Sequence, residues 1–159
     1  MKKALLVSVI LSLTLSVWAQ DGTMMKADNL SPADGSMMKA EPMDASAYSL
    51  KGLGSQVVGF TSEMAAQNLA MKSTVVYYFA ATWCPDCQVT YKDLKANFAK
   101  LPPNLTLVVV NYDKSSDLKK KYGVTMQHTF VVIGTKGEKK KVWNGPTMVS
   151  DLIKNAASM

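Results

Sequence analysis

The sequence contains no arginine, one histidine and only two cysteines. Its 18 basic residues are therefore all lysines, which stand against 12 acidic residues and give a net charge of +6 at pH 7. Proteins that recognise phosphate groups rely heavily on the paired hydrogen bonds of arginine, so we expect no nucleic-acid partner. The lysine clusters at 119–121 and 139–141 are typical of a solvated surface that favours solubility, with docking of an acidic partner as the alternative.

The sequence also lacks an apolar run of the roughly 20 residues that a membrane-spanning helix needs. The longest run, Ala4–Val17, follows two lysines and leads to a small residue at Ala19. This layout predicts a secretory signal peptide over residues 1–19, cleaved after Ala19, with an uncleaved anchor as the alternative. Cleavage would remove two of the 18 lysines and no acidic residue, which lowers the net charge from +6 to +4. We therefore expect an exported protein, secreted to the periplasm or another extracytoplasmic compartment.

Residues 20–49 are rich in methionine, alanine, aspartate and serine, and show no sustained period of 2 or 3.6 residues. Within this region, GTMMKA at 22–27 recurs as GSMMKA at 35–40. Such a composition buries too little apolar surface to fold alone, so we predict a flexible Met-rich tether. Thioether sulfurs are soft ligands that select Cu(I), which makes copper capture an alternative role for the tether. The methionines concerned are Met24, Met25, Met37, Met38 and Met43.

The remaining residues, 50–159, have the alternating apolar patterns expected of one compact domain. Short β-branched and apolar runs predict five strands, at 57–60, 74–80, 105–110, 129–133 and 139–143. Apolar residues at helical spacing, together with capping residues, predict helices at 61–73, 85–101, 115–122 and 149–156. Strands that alternate with helices and end in a hairpin predict an α/β fold, in which helices flank both faces of a central mixed sheet.

Both cysteines lie in the stretch FAATWCPDCQVT, where Pro85 and Asp86 separate Cys84 from Cys87. A structural disulfide across so short a loop would stabilise the fold by only about 2 kcal/mol and would join nothing distant. A redox pair is better suited, because the predicted helix begins at Pro85 and its unpaired N–H groups favour a thiolate on Cys84. We expect Cys84 to be an exposed nucleophile and Cys87 an inward-facing resolving thiol. The negative charge of Asp86 should limit the stabilisation of the thiolate.

Two thiolates at this spacing can also share one metal ion. His128 is the only further conventional ligand, so cysteine and histidine cannot form a closed four-ligand zinc site. An open site of Cys84, Cys87 and His128 that holds zinc or copper is therefore an alternative to redox chemistry.

The stretch WCPDC at 83–87 resembles the active site of the thioredoxin superfamily, and the similarity extends over about 57–157. The segment NYDKSSDLKKKYGV at 111–124 is also similar to a segment of thioredoxin sequences. In that family, the segment connects the third strand to the loop that faces the active site. The resemblance implies thiol-disulfide exchange, with Cys84 as the attacking thiol and Cys87 as the resolving thiol. It also implies that no organic cofactor is needed beyond the redox-active Cys84–Cys87 disulfide. The active-site neighbours that it implies are Trp83, Pro85, Asp86, His128 and Thr129.

Three positions depart from the family pattern. His128 stands where the family usually has a cis-proline, so we expect a trans peptide bond before it. Tyr78 and Val109 stand where many members have a buried acid and a lysine that assist proton transfer. The resemblance places the imidazole of His128 near the cysteines, where it could stabilise a thiolate as a cation or donate a proton.

These observations predict an exported thiol-disulfide oxidoreductase that exchanges disulfides with protein substrates. The reductant direction is favoured, because Asp86 weakens the stabilisation of the thiolate. The expected partners are protein disulfides and an unidentified electron donor, including a transient redox partner at the membrane. The main alternative is a metal-binding protein of the same fold, and a third is a docking module that has kept the motif.

Overall fold

A computed structural model of the protein describes residues 47–145 and 147–158. The predicted signal peptide at 1–19, and the predicted tether up to residue 46, lie outside the described residues. Within the part of the chain that is described, no helix is both long enough and apolar enough to cross a membrane.

The described residues form five strands and four α-helices, in the order that the sequence pattern predicts. The strands are β1 (Val57–Gly59), β2 (Thr74–Ala80), β3 (Leu105–Asn111), β4 (Thr129–Ile133) and β5 (Lys139–Asn144). The helices are α1 (Glu63–Ala70), α2 (Pro85–Asn97), α3 (Ser116–Tyr122) and α4 (Val149–Ala157). A 3₁₀ turn, Phe98–Lys100, follows α2.

The strands form one sheet in the order β1-β3-β2-β4-β5. β1, β3 and β2 run parallel, whereas β4 is antiparallel to β2 and β5 is antiparallel to β4. Parallel neighbours need a crossover connection. α1 connects β1 to β2, and α2 connects β2 to β3. The mixed sheet confirms the predicted α/β fold.

Side chains of β2 alternate between the two faces of the sheet, so the strand is buried on both sides as predicted. The odd-numbered residues from Val75 to Phe79 face a core completed by α1 and α3, which we call the aromatic face. The even-numbered residues from Val76 to Ala80 face a core completed by α2 and α4. This second core contains both cysteines, and we call it the cysteine face. The two thiols therefore lie on one side of the sheet.

The helix that follows the first cysteine is shorter than predicted. α2 ends at Asn97, and the expected continuation to residue 101 is instead the 3₁₀ turn and an extended Leu101. Pro102 comes next, and a residue before proline avoids the helical conformation, which ends the helix early. Leu101 is still buried, so the apolar stripe read from the sequence does reach the core.

The last residues of the predicted tether contact the domain. Tyr48 stacks on Tyr91 of α2 with ring centroids 4.4 Å apart, and its hydroxyl donates to the carbonyl of Ala81 at 2.9 Å. The hydroxyl of Tyr91 in turn donates to the carbonyl of Ser49. Contacts with the domain therefore begin before residue 50, the predicted boundary between the tether and the domain. They are made to α2 and to the residues just before it.

Candidate active site

Cys84 caps the N-terminus of α2 with its own sulfur. Its backbone is extended, with φ −82° and ψ 117°, and the N–H of Cys87 donates to its Sγ at 3.1 Å. Pro85 occupies the first turn of the helix, where its missing N–H leaves no helical hydrogen bond unmade. The local sequence thus places a sulfur where free N–H groups and the helix dipole favour negative charge.

Both cysteines are free thiols and both are buried, which corrects one expectation. Cys84 is 2% exposed and Cys87 is 0% exposed, so the nucleophile predicted to be exposed is covered. The sulfur of Cys84 turns back towards the helix N–H, and the residue belongs to the apolar cluster of the cysteine face. The inward orientation predicted for Cys87 is confirmed.

Cys87 lies in surroundings that keep its thiol neutral. Burial raises the pKa of Cys87 to about 12, and its hydrogen bond with Cys84 acts in the same direction. The hydroxyl of Tyr78 donates to the backbone carbonyl of Cys87 at 3.4 Å. Burial also raises the pKa of Tyr78 well above its ordinary value, so this hydroxyl stays protonated and cannot act as the buried acid of the family would. The two thiols therefore differ: Cys87 keeps its proton, whereas Cys84 has a helix N–H that stabilises a thiolate.

Trp83 forms an exposed apolar surface next to the cysteine pair. The residue is 56% exposed, and its indole Nε1 donates to the carboxylate oxygens of Asp113 at 3.1 and 3.3 Å. Its ring meets that of Tyr112 edge-on, with centroids 6.5 Å apart. Because Tyr112 and Asp113 directly follow β3, the end of that strand holds the indole in place.

His128 is buried against the first turn of α2. Its side chain is 4% exposed, and its Nδ1 lies 3.9 Å from a carboxylate oxygen of Asp86. Burial lowers the pKa of His128, and the nearby Asp86 opposes part of that shift. The ring also packs edge-on against Tyr78 of β2 and Phe130 of β4. Two of the neighbours predicted from the sequence, Asp86 and His128, therefore meet in the structure.

The backbone of His128 does not admit a proline. Its φ is +59°, in the left-handed region, whereas a proline ring holds φ near −65°. The N–H of His128 also donates to the carbonyl of Phe79 at 2.8 Å, and proline has no N–H to make this bond. At position 128, where the family usually has proline, this chain therefore differs in its backbone conformation as well as in its side chain.

The loop before β4 is held by a side chain that the sequence interpretation missed. The amide of Asn144, on β5, donates to the carbonyls of Gln127 at 3.0 Å and His128 at 3.1 Å. It also contacts the hydroxyl of Thr129 at 3.1 Å, and that hydroxyl donates to the carbonyl of Met126 at 2.7 Å. Thr129, a predicted active-site neighbour, is thus buried and shapes the loop that carries His128.

Thr90 is a second residue that the sequence interpretation missed. Its hydroxyl oxygen lies 2.9 Å from Nε2 of His128, and the hydroxyl donates to the carbonyl of Thr147 at 2.8 Å. Thr90 comes three residues after Cys87, so helical spacing alone places both on one face of α2. The next residue, Tyr91, is the aromatic one that helical spacing from Cys87 would favour for the core, and it is only half-buried.

Among the described residues, no group of three or more His, Cys, Asp and Glu side chains is arranged to hold a metal ion. The zinc or copper site of Cys84, Cys87 and His128, which the sequence left open, is therefore not formed in this structure. The tether methionines considered as copper ligands lie outside the described residues.

The sheet order and the cysteine pair at a helix N-terminus define a thioredoxin-fold protein. A sequence profile of the thioredoxin family matches residues 56–158, and the chain belongs to that family. It is similar to the reduced thioredoxin pre-protein of Schistosoma mansoni, with 28% identity and a TM-score of 0.51 over 63% of this chain and 97% of that one. It is also similar to Trxlp from Edwardsiella tarda EIB202, with 25% identity and a TM-score of 0.51 over 62% and 95% of the two chains. No curated protein sequence matches the chain significantly.

Proposed function

We propose that this protein is a thiol-disulfide oxidoreductase that exchanges disulfides with protein substrates through Cys84 and Cys87. The observation that supports this most directly is the hydrogen bond from the N–H of Cys87 to the Sγ of Cys84 at the start of α2. It favours a thiolate on one sulfur, while the other thiol is buried and keeps its proton. Membership of the thioredoxin family supports the same general chemistry.

The proposed reaction has two exchange steps. The thiolate of Cys84 attacks one sulfur of a substrate disulfide, which forms a mixed disulfide and releases the other substrate sulfur as a thiolate that takes up a proton. Cys87 then loses its proton and attacks the Sγ of Cys84, which releases the second substrate thiol. Two electrons pass from the pair to the substrate, and the pair ends as a Cys84–Cys87 disulfide. Neither step involves an organic cofactor.

We infer the reductant direction from the charge at the first turn of α2. A strongly oxidising pair requires a heavily stabilised thiolate in its reduced form. The carboxylate of Asp86 shares this turn with Cys84 and offsets part of the helix dipole. The oxidised pair must then be reduced again by an electron donor, for which we expect a transient redox partner at the membrane.

Export is proposed from the N-terminal sequence alone. The two lysines, the run Ala4–Val17 and the small residue Ala19 have the layout of a cleaved signal peptide. Mass spectrometry of the protein in cell fractions should find it outside the cytoplasm, with Gln20 as its first residue. Full-length protein confined to the cytoplasm would contradict the proposal.

The reduction potential of the cysteine pair is the measurement that tests the function. The protein is equilibrated in glutathione buffers, its thiols are trapped by alkylation, and the alkylated thiols are counted by mass. We expect a value near that of thioredoxin, about −270 mV, whereas a value near −120 mV would indicate an oxidant. A pair that fails to cycle, or cycles only after a metal is stripped from it, would overturn the proposal in favour of metal binding.

A further inference from the structure

We propose that His128 is the proton acceptor for thiol exchange at Cys84, and that Thr90 and Thr147 hold its imidazole in the tautomer that this task requires. The proposal rests on the thiol-disulfide activity proposed above. Two independent anomalies fall on His128: a left-handed backbone in a residue other than glycine, and a buried Nδ1 without a hydrogen-bond partner among the described residues. Each is unfavourable by itself, and both are typical of functional sites.

The hydrogen bonds of Thr90 determine the tautomer of His128. Thr90 has one hydroxyl proton, and it donates that proton to the carbonyl of Thr147 at 2.8 Å, because a carbonyl can only accept. Its oxygen must therefore accept a hydrogen bond from His128, so the proton of the neutral imidazole lies on Nε2, 2.9 Å away. This leaves Nδ1 with a free lone pair.

The free lone pair lies at the first turn of α2. Nδ1 is 3.9 Å from the carboxylate of Asp86, which comes two residues after Cys84 in the chain. Because Nδ1 is shielded from solvent, the groups best placed to give it a proton during turnover lie at this turn or on a bound substrate. The thiol of Cys84 must lose a proton before its sulfur can attack, and we therefore take it as the source of this proton.

The groups around His128 suit a reversible proton acceptor. Burial lowers the pKa of His128, so the ring is neutral and can accept a proton at neutral pH. Asp86, on α2, favours the imidazolium once it has formed. Tyr78 from β2 and Cys87 from α2 keep their own protons, and Phe130 from β4 is apolar. The positive charge on the ring would therefore meet one compensating carboxylate.

In the proposed step, the thiol of Cys84 gives its proton to Nδ1 of His128, and the thiolate that this leaves attacks the substrate disulfide. A new S–S bond joins Cys84 to one substrate sulfur, and the electron pair of the broken bond stays on the other. The imidazolium then returns its proton to this leaving thiolate. His128 ends neutral, and the substrate disulfide is the only oxidant consumed.

The tautomer can be measured without assignment problems, because the chain has one histidine. In ¹⁵N-labelled protein at pH 7, two-bond proton–nitrogen correlations should show a protonated Nε2 and an unprotonated Nδ1. Thr90→Val removes the acceptor and should produce a mixture of tautomers, whereas Thr90→Ser should restore the wild-type pattern. A proton on Nδ1 in the neutral wild-type ring would overturn the proposal.

Disulfide reduction measured as a function of pH tests the proposed role. His128→Asn removes the acceptor, and asparagine tolerates a positive φ. We expect kcat at pH 7 to fall on the order of 100-fold with KM unchanged, the lower end of what general acid–base catalysis contributes. The acid limb of the wild-type profile, where His128 becomes protonated, should disappear. Thr90→Val should lower kcat by less, and Thr90→Ser should restore it.

Thr106→Val is the matched control. Thr106 is also a buried threonine, but its hydroxyl contacts Ser73, and it pairs with Val75 near the start of β2, away from the cysteines. This variant should keep the wild-type pH profile. If His128→Asn fails to fold, as judged by near-ultraviolet circular dichroism, Thr90→Val provides the test.

The two proposals fail in different ways. Wild-type protein that reduces no disulfide would overturn the proposed function and this inference with it. Active wild-type protein whose pH profile is shared by His128→Asn and Thr90→Val would overturn this inference alone.

Discussion

The two faces of the sheet share one strand and differ in what they contribute. On the aromatic face, the ring of Tyr77 meets three other aromatic rings edge-on, with centroids 5.5 to 6.3 Å apart. On the cysteine face, the next residue, Tyr78, stacks on Phe130 at 4.5 Å, and its hydroxyl contacts the carbonyl of Cys87. Consecutive residues of a strand point in opposite directions, so a strand buried on both sides can serve stability on one side and chemistry on the other.

The two faces also differ in the role of a buried polar atom that lacks a hydrogen-bond partner. Among the described residues, the hydroxyl of Tyr77 and the Nδ1 of His128 are buried without a hydrogen-bond partner. The first lies among aromatic rings beside Tyr122, where an unmade hydrogen bond is unfavourable, while the second lies near the carboxylate of Asp86. A buried polar atom without a partner is therefore unfavourable for stability on the aromatic face, whereas on the cysteine face it is a candidate proton acceptor.

The largest expected effect is that of Cys84→Ser, which should abolish disulfide exchange. The free energy of unfolding should change little, because a serine oxygen can still cap α2. Turnover of a disulfide substrate and urea denaturation measure the two effects separately. Cys87→Ser is the companion variant, and it should accumulate the mixed disulfide with substrate. Residual turnover in Cys84→Ser would contradict the proposal that Cys84, on the cysteine face, is the attacking thiol.

The converse change on the aromatic face is Tyr77→Ala. Truncation of this buried ring should lower the free energy of unfolding by about 3 to 5 kcal/mol, because it leaves a cavity among the surrounding rings. The kcat per folded molecule should stay at the wild-type value. Urea midpoints and turnover at low temperature measure both quantities. A lower kcat in the folded fraction would mean that the two faces are coupled.

Removal of a single hydroxyl from each face compares the two faces with a smaller change in packing. Tyr77→Phe deletes a hydroxyl without a partner and should leave stability unchanged or raise it by up to about 1 kcal/mol. Tyr78→Phe deletes a hydrogen-bond donor and should lower stability by about 1 kcal/mol. It should also raise the pKa of Cys87, because the hydrogen bond with Tyr78 lowers it. Urea midpoints and alkylation rates against pH distinguish the variants, and equal behaviour would contradict the comparison.

The smallest expected effect is a dependence of stability on pH that comes from the cysteine face. Burial lowers the pKa of folded His128 below its ordinary value of 6.5, so the unfolded chain binds this proton more readily. The free energy of unfolding should therefore fall as the pH drops below about 6.5, until the pKa of the folded state is passed. His128→Asn should remove this contribution. Urea midpoints between pH 7.5 and 5 test it, and parallel curves for the two proteins would refute it.

Elements with a strong local pattern could be predicted to the residue. β2 and β4 have the predicted bounds, because continuous runs of β-branched and aromatic residues indicate a buried strand without reference to the rest of the chain. The end of α2 was less predictable. The apolar stripe continues to Leu101, yet the backbone leaves the helix after Asn97, ahead of Pro102.

The candidate site was predictable in its reactive residues and not in their supports. The cysteines, Asp86 and His128 stood out because their side chains carry chemistry that few other residues offer. Thr90 did not, since its role depends on His128, 38 residues further along the chain. The burial of Cys84 was also missed, because a position at a helix N-terminus does not reveal what packs over it.

By itself, the sequence determined the order of the elements, the two-sided burial of β2 and the position of the thiols at the start of α2. These follow from local spacing, backbone preference and the dipole of a helix, which act between near neighbours in the chain. Only the tertiary structure decided that Cys84 is covered, that His128 takes a left-handed backbone, and that Thr90 and Thr147 orient its ring. Those features arise where α2, the loop before β4 and the segment before α4 meet, and local chain preferences do not determine which distant groups come into contact.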